Sequence, residues 1–309
     1  MINLVTGGAG FIGSYLIDNL IQKNEKVICL DNFLTGKVEN IKRWYKNPNF
    51  KLINHDIINP IELDIKKIWH FACPASPYHY QLDPINTAKI NFLGTYNMLK
   101  LAKNTNARIL IASSSEIYGN PELHPQKETY TGSVKTFSDR ACYVEGKRIA
   151  ETLSFDFNKI HNTDIRIARI FNAYGPRMLP NDGRVISNFI CQAILGKELT
   201  VYGKGNQTRC FCFINDLIEG LNKLMSSQYA KPVNLGSQKE LSIIDLAKLI
   251  KRKVNNNIKI VFKDLPNDDP MMRKPDLSLA KKILNWESHT SIEKGIDTTI
   301  NHFSKILKR

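Results

Sequence analysis

Seven residues near the start of the chain, Gly7-Gly8-Ala9-Gly10-Phe11-Ile12-Gly13, constrain its fold more than any other stretch. They follow a short apolar run, Ile2 to Thr6, that reads as a buried strand. They open an amphipathic pattern that predicts a helix from about Phe11 to Gln22. Strand, glycine turn and helix together begin a βαβ unit. The glycines allow the tight turn and let the backbone approach a pyrophosphate at the helix N-terminus. A second strand, Lys26 to Leu30, ends at Asp31. A carboxylate there can accept hydrogen bonds from an adenosine ribose, and its charge disfavours a 2′-phosphate. The pattern therefore points to NAD rather than NADP, against the plainer reading of Asp31 as a turn residue.

Asn32, Phe33, Thr35 and Gly36 would border the adenosine. A third strand over 50–57 carries Asp56, a candidate for the adenine amino group, and Ile57. A fourth over 66–72 ends at Ala72, a long helix is expected over about 84–103, and a fifth strand over 107–112 ends at Ala112. Strands alternating with helices imply parallel βαβ units in a doubly wound sheet, where ligands bind at the carboxyl ends of strands. At such an end stand Ser113, Ser114, Ser115 and Glu116, which read equally as a serine-rich turn. Tyr143 and Lys147 are four residues apart, on one face of a predicted helix. An ammonium beside a phenol favours the phenolate, which can take a proton from an alcohol at physiological pH. Chance pairs of this kind are common, and the neighbouring motifs raise this one above them.

A sixth strand over 164–170 leads to Asn172, a candidate donor to a substrate phosphate. Beyond it the alternation loosens, which predicts a smaller domain. Val185 begins a helix, the strand over 199–203 carries Tyr202 beside a base, and alternation over 207–213 places Arg209, Phe211 and Phe213 on one face. Residues 268–276 read as a polar loop, and 242–254 as a helix capped by Ser242. The fold class is α/β: a Rossmann-type doubly wound parallel sheet with a smaller, interleaved C-terminal substrate domain. Residues 1–170 form the NAD-binding part and 171–309 mainly the substrate part, with some segments returning to the first body.

The net charge of +14 is spread along the chain without aromatic interleaving, so it fits a basic cleft better than nucleic acid. No run approaches a membrane span, and Ile2 to Val5 is too short for an export signal, so a cytoplasmic protein is expected. Six cysteines without C-x2-C spacing and seven dispersed histidines predict reduced thiols and no metal.

The glycine fingerprint, Asp31-Asn32, Ser114-Ser115-Glu116-Ile117-Tyr118-Gly119 and Tyr143-x3-Lys147 resemble the extended short-chain dehydrogenase/reductase superfamily. Further stretches make the chain similar, almost end to end, to the UDP-glucuronate decarboxylase family. They include Leu52 to Asp56, Pro74 to Pro77, Ala168 to Asn172, Asn181 to Val185, Asp268-Asp269-Pro270 and Arg273 to Asp276. Ser115-Glu116 matches the decarboxylases, where 4,6-dehydratases usually have Asp-Glu and 4-epimerases usually lack the glutamate. Cys73, Val144 and residues 133–139 depart from the family pattern at the rim.

The resemblance implies NAD-dependent conversion of UDP-glucuronate to UDP-xylose and carbon dioxide. Tyr143 would act as base, Lys147 as its partner on the nicotinamide ribose, and Ser114 as a donor to O4. Ser115 and Glu116 would handle the carboxylate end, where Glu116, facing another carboxylate, would have a raised pKa. Lys89, Arg184, Val185, Arg209 and Arg273 would bind substrate. The resemblance also implies a homodimer built on the 84–103 and Tyr143 helices. A 4-epimerase, a 4,6-dehydratase, a decarboxylase that releases the 4-keto pentose, and a non-catalytic NAD-binding regulator remain as alternatives.

Overall fold

The computed structural model describes residues 1–180, 182–265 and 272–307. Asn181, Asp268, Asp269 and Pro270, which carry part of the resemblance, lie outside them. The first half runs β1 (Ile2–Thr6), α1 (Phe11–Gln22), β2 (Lys26–Asp31), β3 (Phe50–Asn54), β4 (Lys67–His70), α2 (Pro77–Leu82), α3 (Pro84–Lys89), α4 (Thr95–Thr105), β5 (Arg108–Ser114), α5 (Ala141–His161) and β6 (Ile165–Ile170). The second half adds β7 (Ala173–Tyr174), α6 (Val185–Ile194), β8 (Leu199–Tyr202), β9 (Thr208–Cys210), β10 (Cys212–Phe213), α7 (Ile214–Ser226) and β11 (Pro232–Leu235). It ends with β12 (Glu240–Ser242), α8 (Ile243–Val254), β13 (Ile260–Lys263), β14 (Met272–Arg273), α9 (Ser278–Leu284) and α10 (Ile292–Leu307).

Seven strands form one sheet in the order β3-β2-β1-β4-β5-β6-β11, and every neighbouring pair is parallel. Both faces are covered, which is why the strands are near-continuous apolar runs rather than alternating ones. Leu16, Ile17 and Leu20 of α1 share a core with Leu217 and Leu221 of α7 on one face. Met98, Leu99 and Ala102 of α4 meet Ala150 of α5 on the other. The strand order reverses between β1 and β4, which opens the crevice where such sheets bind ligands.

The segment read as one helix over 84–103 is α3 and α4 joined by a π turn, Ile90–Gly94. Asn91 of that turn packs onto α5 so closely that a Cβ on Gly146 would lie 2.8 Å from its own Cβ. Such a turn is set by packing between helices, which the residue pattern does not record. The alternating run over 207–213 is two strands broken at Phe211. β9 pairs with β12 and β14, whereas β10 pairs with β7. Within the stretch read as a loop, Met272–Arg273 forms a strand that aligns Arg273 beside Arg209. Ser242 does cap α8, accepting from the Asp245 amide at 3.1 Å.

Candidate active site

A single cavity of about 700 Å³ runs from the glycine turn across the strand ends into the second half of the chain. At its first end β1 turns at Gly7, where φ is +66°, and α1 begins without a side-chain cap or an acidic residue in its first turn. The amides of Phe11, Ile12 and Gly13 are thus open to an anion. A Cβ on Gly13 would lie 2.3 Å from the Gly7 carbonyl oxygen, so only glycine leaves this cradle its shape. Asp31, at the end of β2, accepts from the Ala9 amide at 2.9 Å and the Phe33 amide at 2.8 Å. Burial raises its pKa against those two donors. Asn32 donates to Asp56 at 3.0 Å, and Asn32, Thr35, Asp56 and Ile57 line the same end. The cradle, the buried carboxylate and the polar rim fit a dinucleotide.

Phe33 and Gly36 do not reach the cavity wall. Phe33 takes a positive φ of 59° to give its amide to Asp31, and Gly36 packs behind that carboxylate. Lys89 does not reach it either. Thr87, Ile90 and Asn91 turn inward from their helix, which leaves Lys89 exposed on the opposite face.

In the middle of the cavity, Ala72, Ala112, Ser114, Ser115, Glu116, Tyr143 and Lys147 converge. Ser114 closes β5, accepts from the Glu116 amide at 3.2 Å and hydrogen-bonds the Tyr143 phenol. The Lys147 ammonium lies 5.7 Å from the Tyr143 ring centroid and donates to the Ala112 carbonyl at 2.9 Å. One expectation changes sign here. Burial pushes the Tyr143 phenol well above its ordinary value, and the Ser114 bond opposes this only in part. The sequence argument counted the cation and left out desolvation. In the protein itself Glu116 is held down at about 2, because Arg273 and Arg140 grip it against the cost of burial. Arg140 donates to one carboxylate oxygen at 2.7 Å and Arg273 to the other. Arg273 also donates to the Gly119 carbonyl at 2.8 Å.

Arg140 was missed as a site residue. Its signal was present: it stands three residues before Tyr143, one helical turn away on the same face. In the second half, Asn172, Arg184, Val185, Tyr202 and Arg209 line the cavity with Arg273. Arg184 pairs with Asp182, and Arg209 donates to the Thr208 carbonyl at 2.8 Å. Among the described residues, Asn172 Nδ2 and Arg273 Nε are buried donors without a protein partner. Buried donors of this kind are rare unless a ligand or water satisfies them.

Residues 4–299 match a family model described as GDP-mannose 4,6 dehydratase. UDP-glucuronic acid decarboxylase 1 of Xenopus tropicalis is 50% identical over 305 residues, which span 99% of this chain and 72% of that one. The chain belongs to the UDP-glucuronic acid decarboxylases. Another of these, UDP-glucuronic acid decarboxylase 6 of Arabidopsis thaliana, is 50% identical over 295 residues, 95% of this chain and 86% of its own. Among solved structures, a UDP-glucuronic acid 4-epimerase from Bacillus cereus in complex with UDP-glucuronic acid and NAD superposes with a TM-score of 0.89. It is 26% identical, with 99% of this chain and 100% of that one covered. That structure of the same fold is thus an NAD-bound nucleotide-sugar enzyme. Among the described residues no cluster of His, Cys, Asp or Glu has the make-up of a metal site, and no helix is long and apolar enough to cross a membrane.

Proposed function

We propose that this protein is a carboxy-lyase that converts UDP-glucuronate to UDP-xylose and carbon dioxide with NAD bound throughout. NAD, when bound, would supply the acceptor for a hydride from C4 of the sugar and the donor for its return. Tyr143 removes the proton from the C4 hydroxyl and gives one back at the same oxygen. Ser114 donates to O4 and aligns it, and Lys147 holds the ribose side of the pocket. The C4 ketone is β to the C6 carboxylate, so carbon dioxide leaves with its bonding electrons passing into an enolate. Donors already aimed at O4 stabilise that charge, and a proton taken up at C5 from solvent water restores the ketone before the hydride returns to C4. Glu116, ionised between two guanidiniums, orients the carboxylate end of the sugar with Arg273 and Ser115 rather than serving as an acid.

Gly7, Gly10, Phe11, Ile12 and Gly13 hold the pyrophosphate of the cofactor, Asp31 its ribose, and Asp56 its adenine. Asn172, Arg184, Val185 and Arg209 hold the UDP diphosphate, and Tyr202 borders the uracil. The division at residue 170 into cofactor and substrate parts belongs to the same reading. So do a cytoplasmic location and a homodimer packed through α3, α4 and α5, whose outer faces expose Ile85, Phe92, Tyr96 and Phe155.

The observation that carries the choice of reaction is Glu116 held between Arg140 and Arg273 in the cavity that also contains Tyr143 and Ser114. This is a cationic seat for a carboxylate next to the C4 base. Incubation with UDP-glucuronate, followed by NMR of the products, tests it. UDP-xylose with one carbon dioxide per turnover is expected. A C4 epimer alone, or accumulation of the 4-keto pentose with free NADH, rejects it.

A further inference from the structure

Tyr80 has no task in the mechanism above, yet it lies against the residue at the centre of it. Its ring is parallel to that of Tyr143, with centroids 5.0 Å apart and planes within 6°. Its backbone is tied on both sides. The amide donates to the Ser76 carbonyl at 3.0 Å, and the carbonyl accepts from Thr87 Oγ1 at 3.1 Å and from Cys142 Sγ at 3.8 Å. The residue is 1% exposed. Offset parallel rings hold each other in register beyond what burial alone provides. A phenol that must meet a sugar hydroxyl in line with hydride transfer needs its ring plane fixed. Ser114 hydrogen-bonds the Tyr143 phenol and the Lys147 ammonium lies 5.7 Å from its ring centroid, whereas Tyr80 lays a whole parallel ring on it.

We propose that Tyr80 is a positioning residue: by stacking on Tyr143 it sets the plane in which the phenol meets the C4 hydroxyl. The inference rests on the reading of Tyr143 as the base at O4. It does not depend on which product leaves, because every reaction considered for this site begins at that oxygen. The Tyr80 hydroxyl has no hydrogen-bond partner among the described residues. Phenylalanine therefore removes an oxygen that makes no hydrogen bond within the described protein and keeps the stack, which makes it the conservative control.

The test compares Tyr80→Phe, Tyr80→Leu and Tyr80→Met with the unsubstituted protein, using whichever UDP-sugar that protein turns over. Methionine is the flexible filler should leucine fail to fold. Tyr80→Phe should keep kcat within about threefold and melt no lower than the parent. The aliphatic variant that folds should lose kcat by roughly ten- to a hundredfold, with KM and bound-cofactor content unchanged, as expected when a reacting group is misplaced by a fraction of an ångström. Normal kcat in the aliphatic variant overturns the proposal. So does a Phe variant that falls as far as the aliphatic one, or a loss confined to KM. Product identity in the unsubstituted protein is a separate readout, so failure of the decarboxylase reading and failure of this one are told apart.

Discussion

Replacing Glu116 by glutamine probes the charge cluster directly. Arg140 and Arg273 hold the Glu116 carboxyl at about 2, against an ordinary value of 4.5. A folded-state value below the unfolded one means that the unfolded chain binds more protons between the two. The stability Glu116 contributes is therefore complete above pH 4.5 and is lost as the pH falls toward 2. Its full size is about 3 kcal/mol, and less than half of that remains at pH 3. Glu116→Gln removes this titration and leaves two guanidiniums, one of them on a residue only 2% exposed, facing a neutral amide. Urea unfolding of the parent and the variant at pH 6 and at pH 3 gives the comparison, each pair read at constant slope. The variant should be less stable at pH 6 by about 3 kcal/mol or more, and the gap should narrow by about 2 kcal/mol at pH 3. A gap that is the same at both values would refute the assignment of an ionised Glu116 between the arginines.

Tyr143→Phe should lower kcat by at least about a hundredfold with an unchanged circular dichroism spectrum, since it removes the proton-transfer group; ordinary turnover would strike Tyr143 from its role. In Gly13→Ala the added methyl collides with the Gly7 carbonyl oxygen at 2.3 Å. The purified variant should carry little NAD, measured as nucleotide released on denaturation, and retention of the parent's content would argue against the cradle. Gln126, fully buried, accepts from the Lys274 amide at 2.8 Å beside Arg273 and donates to the Leu123 carbonyl at 2.7 Å. Gln126→Leu strands that amide and should cost about 2 kcal/mol in urea unfolding. It should also slow turnover by loosening Arg273, and a variant unchanged in both respects would show that the anchor is dispensable.

The parts of the site that are contiguous in the chain could be read from it. The glycine turn, Asp31 at a strand end, the serines closing β5 and the Tyr143–Lys147 spacing each depend on local periodicity, and the cavity gathers them. What could not be read depends on contacts across the chain. Arg273 meets Glu116 from 157 residues away and Arg140 from 24, so no pattern within an element announces that the carboxylate is clamped. The error in the direction of the Tyr143 pKa has the same origin. Lys147 is visible as a neighbour of Tyr143 in sequence, whereas the depth at which the phenol is buried is a property of the assembled sheet. Lys89 lies off the cavity wall for a simpler reason. Its charge invited a role, and only the helix phase set by Thr87 and Asn91 shows that it faces away.

The outermost strand, β11, has a consequence for the order in which the protein is made. β6 is complete at Ile170, but the strand that pairs with it, Pro232–Leu235, is synthesised about 60 residues later. At roughly 5–20 residues per second, a nascent chain would expose the open edge of β6 for several seconds. Unpaired strand edges are templates for association with other chains. The segment that emerges in that interval contributes α7, which packs on α1 and on β5 and β6 of the sheet, and α6, which packs on the later α8 and α10, while the edge itself stays bare until Asn234 arrives. Asn234 then accepts from the Tyr118 hydroxyl at 2.8 Å and donates to the Gln126 carbonyl, and it waits with its amide for the Asp276 carbonyl, which follows β14 and Arg273 later in the chain. Slow translation through 171–235 should therefore favour aggregation during synthesis more than it would in a protein whose sheet closes in chain order.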